Sequence, residues 1–129
     1  NEENSRAGRG KLGTDMAVPD EYFLSMMELY RETLNDNDVD YIIFGHLGDN
    51  HLHINLLPED SQGDKAQNIY DTLVDQILKW GGTVSAEHGV GKLKKDYFAK
   101  MVGPNGLKEL SKVKRCLDPQ NRLGVGNIL

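Results

Sequence analysis

The segment GHLGDNHLHIN, Gly45 to Asn55, holds three of the four histidines in the chain, and the fourth follows a glutamate in SAEHGVGK, Ser85 to Lys92. Neutral imidazoles ligate first-row divalent ions, and a carboxylate beside them suits Zn²⁺, Mn²⁺, Co²⁺ or Fe²⁺. A catalytic ion of this kind takes three protein ligands and keeps a position open. His46 and His53 are the first two candidates, because opposed residues of a hairpin share a face and the turn between them draws them together. Glu87 is the candidate third ligand, carried on a glycine-bordered loop that could fold over the hairpin. Adjacent side chains of an extended loop diverge, which leaves His88 as a general base beside the metal rather than a ligand. His51 is the weakest candidate of the four histidines. Taken singly, each fits an ordinary polar position on a solvated sheet. Their joint clustering is what argues for a metal or catalytic site.

These residues need elements to hold them. Thr14 to Pro19 reads as a short strand closed by proline. Asp20 to Leu34 has helical spacing, with Phe23, Met26, Met27, Tyr30 and Leu34 on one face and Asp20 as N-cap. The methionines read as core filler. After a turn cluster at Asn35 to Asp38, Val39 to His46 is rich in β-branched and aromatic residues and reads as a strand. LGDN supplies turn chemistry, because Gly, Asp and Asn tolerate positive φ. His51 to Leu57 alternates with period two, so His51, His53 and Asn55 share one face and Leu52, Ile54 and Leu56 the other. A second amphipathic helix runs from about Lys65 to Trp80, with Ala66, Ile69, Tyr70, Leu73, Ile77 and Trp80 on its stripe, and Gly81-Gly82 stops it. A short strand at Thr83 to Ser85 and helices over Lys94 to Met101 and Pro104 to Leu117 complete the chain. The order is βαββαβ followed by helices. It predicts an α+β fold: a ferredoxin-like antiparallel sheet with helices on one face. The histidines then belong to the other, exposed face.

The 129 residues amount to one domain, long enough to bury a core without staples. The net charge of −5, with no basic stripe, argues against a nucleic-acid partner. A single cysteine, Cys116, excludes an internal disulfide and fits a reducing compartment, so a cytoplasmic location is expected, or one peripheral to a membrane. Cys116 lies among apolar helix positions and reads as a small core residue. No apolar run approaches the ~18 residues that would span a bilayer. Residues 1–13 read as a flexible lead-in or the torn edge of a longer chain, and the apolar end GVGNIL suggests that the polypeptide continues.

One apparent motif carries no chemistry. AEHGVGKL has the outline of a P-loop, but Ala86 replaces its first glycine and Leu93 the Ser or Thr that would hold Mg²⁺. No G-x-G-x-x-G follows a strand, so a dinucleotide fold is not expected in this chain.

GHLGDNHLHIN, GGTVSAEHGVGKLK and VKRCLDPQNRLG, in this order and separation, resemble the carboxy-terminal domain of the FAD-linked oxidases. That group includes D-lactate dehydrogenase, the glycolate oxidase flavin subunit and D-2-hydroxyglutarate dehydrogenase. TDMAVP is similar to the domain's first core strand, and the resemblance runs from about residue 14 to near the end. It implies a cap domain set against an amino-terminal FAD-binding domain of the same polypeptide, which this chain does not contain. It implies oxidation of a small 2-hydroxy acid by hydride transfer to flavin, with metal-assisted loss of the hydroxyl proton. It places the metal, Zn or Mn, on His46, His53 and Glu87, the base at His88 and a substrate-binding asparagine at Asn55. Alone, the chain would then oxidise nothing. Two departures stand out. The family's hairpin usually reads Gly-Asp-Gly-Asn-Leu-His, whereas here Asn50-His51 replaces Gly-Asn. Its tail usually reads Asn-Pro-Gly-Lys, where this chain has Gly124-Val125-Gly126-Asn127.

Arg6 and Arg9 are candidates for holding a substrate carboxylate, and a homodimer is compatible with the sequence. Two further readings remain open at this point. One is a stand-alone ferredoxin-like domain that binds a small ligand or metal and regulates without catalysis. The other is a small metal-dependent hydrolase with Glu87 as base.

Overall fold

The computed structural model describes residues 10–129. Arg6, Arg9 and the lead-in as far as residue 9 lie outside the described residues. The chain divides into two compact units, one ending at Ala86 and one from Glu87 to Leu129.

The first unit is an antiparallel four-stranded sheet with two helices. In chain order its elements are β1 (Leu12–Gly13), β2 (Met16–Ala17), α1 (Phe23–Asn35), β3 (Asp40–His46), β4 (His51–Leu57) and α2 (Gly63–Lys79). β4 is the central strand, with β3 along one side and β1 and β2 along the other. An isolated antiparallel bridge between Ala17 and Thr83 stands where the sequence predicts a strand over Thr83 to Ser85. The order is therefore the expected βαββαβ, with its last strand reduced to one bridge.

Period-two patterning builds the core. Leu52, Ile54 and Leu56 of β4 are buried, together with Met16 of β2. They meet Met26, Tyr30 and Leu34 of α1 and Ala66, Ile69, Tyr70, Leu73, Val74 and Ile77 of α2, spaced three or four residues apart along one helical stripe. Met27 departs from the expected core face: it is 43% exposed, beside Leu24 and Tyr41. Trp80 is half-buried and stacks on Tyr22, with ring centroids 5.6 Å apart. Asp20 is not an N-cap. It lies in a 3-10 turn, Asp20–Tyr22, and its Oδ1 accepts a hydrogen bond from Asn50 Nδ2 at 2.5 Å. The carboxylate thus ties the β3–β4 turn to the start of α1 instead of closing the helix.

α2 ends as its glycines require. Gly81 takes φ 73°, and the N–H groups of Gly81 and Gly82 return to the carbonyls of Leu78 and Ile77. A Cβ on Gly82 would fall 2.5 Å from the Ala17 carbonyl oxygen. Glycine is what lets the chain leave the helix flat against β2 and form the Thr83 bridge.

The second unit is built on one helical run, α3 (Lys95–Leu117), broken at Gly103 (φ 67°, ψ 177°) ahead of Pro104. The break falls where the sequence predicts the gap between two helices, because proline has no N–H to continue the ladder. Cys116 is exposed, contrary to the expectation of a core position. None of the residues of α3 is fully buried, so apolar spacing there does not translate into a closed core. Asp118 closes the helix by accepting from the Lys114 ammonium and from the N–H groups of Arg122 and Leu123, both at 2.9 Å. These bonds hold its carboxyl at about 2, below the usual carboxylate range, with the lysine contributing most. Among the described residues, no helix is long and apolar enough to cross a membrane.

Candidate metal centre

The register of the β3–β4 hairpin sets the site. His46 pairs directly with His51, Phe44 with His53 and Ile42 with Asn55. Opposed residues share a face, so all three histidines and Asn55 project from the side of the sheet away from the helices. The turn Leu47–Asp49 ends at Asn50 in the left-handed region, φ 50°. Asparagine tolerates this conformation better than most residues, so the turn closes without the usual glycine. Gly45 is fixed by close approach: a Cβ there would stand 2.3 Å from the His51 carbonyl oxygen.

The face is not the open, solvated surface that the sequence suggests. His51 and His53 are 4% and 3% exposed. Their ring centroids lie 4.3 Å apart in an edge-to-face arrangement, and the rings of His46 and His51 lie 5.6 Å apart. Each of His46, His51 and His53 offers a ring nitrogen within 4.8 Å of those of the other two.

Two segments of one strand line orient the buried rings. β1 and β2 pair with β4 in one continuous register, Leu12 with Leu56 and Gly13 with Asn55, then Met16 with Leu52 and Ala17 with His51. The ladder is interrupted between them at Thr14 and Asp15. The Thr14 hydroxyl accepts the Ile54 N–H at 2.8 Å, and the Thr14 carbonyl accepts from His53 Nδ1 at 3.0 Å. Asp15, 1% exposed, accepts from His51 Nε2 at 2.9 Å and lies 3.4 Å from the Ser85 hydroxyl. A carbonyl can only accept, so His53 Nδ1 carries the proton and its Nε2 presents a lone pair. This is the tautomer that a metal ligand needs, held by a backbone carbonyl of the kind that commonly orients ligating histidines. The donor set, nitrogen-rich and partly buried, fits a borderline divalent cation such as Zn²⁺.

Of the residues singled out from sequence, His46, His53 and Asn55 come together on this hairpin. Glu87 and His88 open the second unit, where the Glu87 carboxylate lies 3.4 Å from His88 Nε2 and His88 is well exposed. Sequence reasoning missed Asp15 and Thr14. The available signal was an acidic residue next to the apolar run of TDMAVP, since a charge placed there must have a partner.

Comparison with known proteins agrees with this architecture. Residues 4–128 match the family of FAD linked oxidases, C-terminal domain. The chain is 31% identical, over 89% of its length, to the mitochondrial D-lactate dehydrogenase [cytochrome] of Kluyveromyces lactis. It is 32% identical over 70% of its length to the D-2-hydroxyglutarate dehydrogenase of Stutzerimonas stutzeri, and 26% identical over 88% to glycolate oxidase subunit GlcD of Bacillus subtilis. The matches span 20%, 21% and 25% of the lengths of these relatives. A histidine-bearing hairpin on an antiparallel sheet, together with a family match over nearly every residue, leads to one conclusion: the chain belongs to the FAD linked oxidases as their C-terminal domain.

Proposed function

We propose that this chain is the metal- and substrate-holding domain of an FAD-dependent enzyme that oxidises a small 2-hydroxy acid of the lactate, glycolate or 2-hydroxyglutarate type. The observation that carries the reading is the gathering of His46, His51 and His53 on one face of the hairpin, with the His53 ring oriented through Nδ1 by the Thr14 carbonyl. The names of the relatives support the substrate class.

His46 and His53 would hold a divalent ion, with Glu87 as the proposed source of a carboxylate ligand. Covalent continuity supports Glu87: it follows Ala86, whose N–H bonds to the Asp15 carbonyl at 3.1 Å. A bound cation would supply Lewis acidity toward the substrate hydroxyl, and FAD would supply the two-electron acceptor for the α-carbon hydride, giving a 2-oxo acid and reduced flavin. His88 takes the hydroxyl proton. The Glu87 carboxylate lies 3.4 Å from its Nε2. Asn55 orients the hydroxy acid through its amide. It stands on β4 opposite Ile42, one side of the same face as the histidines. Ile42 and Phe44, 51% and 48% exposed, border this face with apolar surface that the amino-terminal FAD-binding domain of the same polypeptide would cover. Burial of that rim would exclude water from the reacting atoms.

The test uses the intact polypeptide, purified and assayed for metal by elemental analysis and for reduction of its flavin by D-2-hydroxy acids. His46→Ala and His53→Ala lose the metal. His88→Ala keeps it and loses turnover by roughly 10²–10⁴-fold, the usual worth of a positioned base. Equal metal content in the wild type and His53→Ala would overturn the reading. So would hydrolytic turnover by residues 1–129 alone.

A further inference from the structure

We propose that His51, oriented by Asp15, is a third imidazole ligand in the metal centre, and that it sets the preference of this chain for Zn²⁺ over Mn²⁺. The inference rests on the metal reading above and deepens it: with His51 the protein supplies four ligands, and substrate would enter by expansion of the ion to five-coordination. His51 is directly opposite His46 in the hairpin and two residues before His53 on the same face. One of its two ring nitrogens lies in the same 4.8 Å cluster as theirs. A carboxylate accepts and does not donate, so the 2.9 Å contact from Nε2 to Asp15 places the ring proton on Nε2 and leaves a lone pair on Nδ1. This is a carboxylate–histidine arrangement, which raises ligand basicity and fixes the ring. Asp15 is itself almost wholly buried, and a buried carboxylate favours positive charge close by, which a divalent cation supplies.

An asparagine amide in place of the imidazole would be a weaker, harder ligand. A centre with three imidazoles is shifted toward Zn²⁺, whereas oxygen-rich sites suit Mn²⁺.

Metal affinity is measured on the intact polypeptide by competition with a chromophoric chelator, separately for Zn²⁺ and Mn²⁺, in the wild type and in His51→Asn, Asp15→Asn and His53→Ala. His51→Asn weakens Zn²⁺ binding by at least 10-fold and weakens Mn²⁺ binding less. Asp15→Asn keeps an acceptor for Nε2–H but loses the charge, and weakens Zn²⁺ binding by about 10–100-fold. Zinc-edge X-ray absorption of the unmutated protein counts three imidazoles, a readout that does not depend on any variant folding. Two imidazoles, or Zn²⁺ affinity unchanged in His51→Asn, would overturn the inference and show His51 and Asp15 to be only a buried structural pair. In that case His53→Ala still abolishes binding and the proposed function stands. If the wild type takes up neither metal, the proposed function itself fails.

Discussion

Tyr30 offers a test of how the helical layer supports the site. It is 1% exposed, between the sheet and α2, and its hydroxyl has no hydrogen-bond partner among the described residues. A buried hydroxyl left without a partner costs about 1–3 kcal/mol of desolvation. Tyr30→Phe removes that oxygen and keeps the ring, so only a void smaller than a methyl group remains. The net expectation at neutral pH is a gain of about 1 kcal/mol, or about 3–5 °C in Tm for a chain of this size. A second signature appears in alkali. Burial, and then the nearby Tyr70, raise the Tyr30 hydroxyl well above the usual tyrosine range. A raised folded pKa means that the stability is complete below about pH 10, where unfolded tyrosine begins to ionise. It is lost as the pH rises further, by about 1.4 kcal/mol per pH unit, because the unfolded chain then binds one proton fewer. Phenylalanine removes that dependence for position 30. The alkaline fall that remains comes from Tyr70, pushed up to about 12 by burial and then by Asp15 and Asp71. Urea denaturation followed by circular dichroism, at pH 7 and between about pH 9 and 11, gives both quantities. A Tyr30→Phe midpoint below wild type at pH 7, or an unchanged alkaline slope, would refute the argument and mean that the hydroxyl is satisfied in solution.

Gly45→Ala should cost about 1–3 kcal/mol, as overpacking does. It should also weaken metal binding, since a Cβ 2.3 Å from the His51 carbonyl oxygen pries apart the strands that carry His46 and His51; melting and metal titration read the two effects. Ile54→Ala, at a fully buried position on the helix-facing side of the histidine strand, should destabilise by about 2–5 kcal/mol in denaturant titration, and a loss under 1 kcal/mol would contradict the packing. Asp118, with its folded pKa lowered to about 2, contributes stability that is present above the ordinary carboxylate value near 4 and is lost as the pH falls toward 2. Asp118→Asn should therefore flatten the acid dependence of amide exchange at Arg122 and Leu123, the two N–H groups that its carboxylate accepts.

The sequence by itself determined the elements and the face. The alternation of His51 to Leu57 allows one assignment in which leucine and isoleucine face the helices, so His51, His53 and Asn55 had to share the opposite side. Spacing of three and four residues located α2, and Gly103-Pro104 fixed the break in α3, because both signals are local in the chain. Tertiary structure decided what no local pattern encodes. Asp15 and His51 are 36 residues apart, and only the register of β2 against β4 brings the carboxylate to the ring. The same register takes His53 to the Thr14 carbonyl and so selects its tautomer. Asp20 looked like a helix cap because it precedes a helix, yet a turn 30 residues away claims its carboxylate. Cys116 looked buried because its neighbours are apolar, but burial depends on what packs against a helix, and apolar spacing along α3 names no partner. Local propensity chooses the strands and helices. The long-range pairing of polar groups, each needing a partner once removed from water, arranges the histidines into a site.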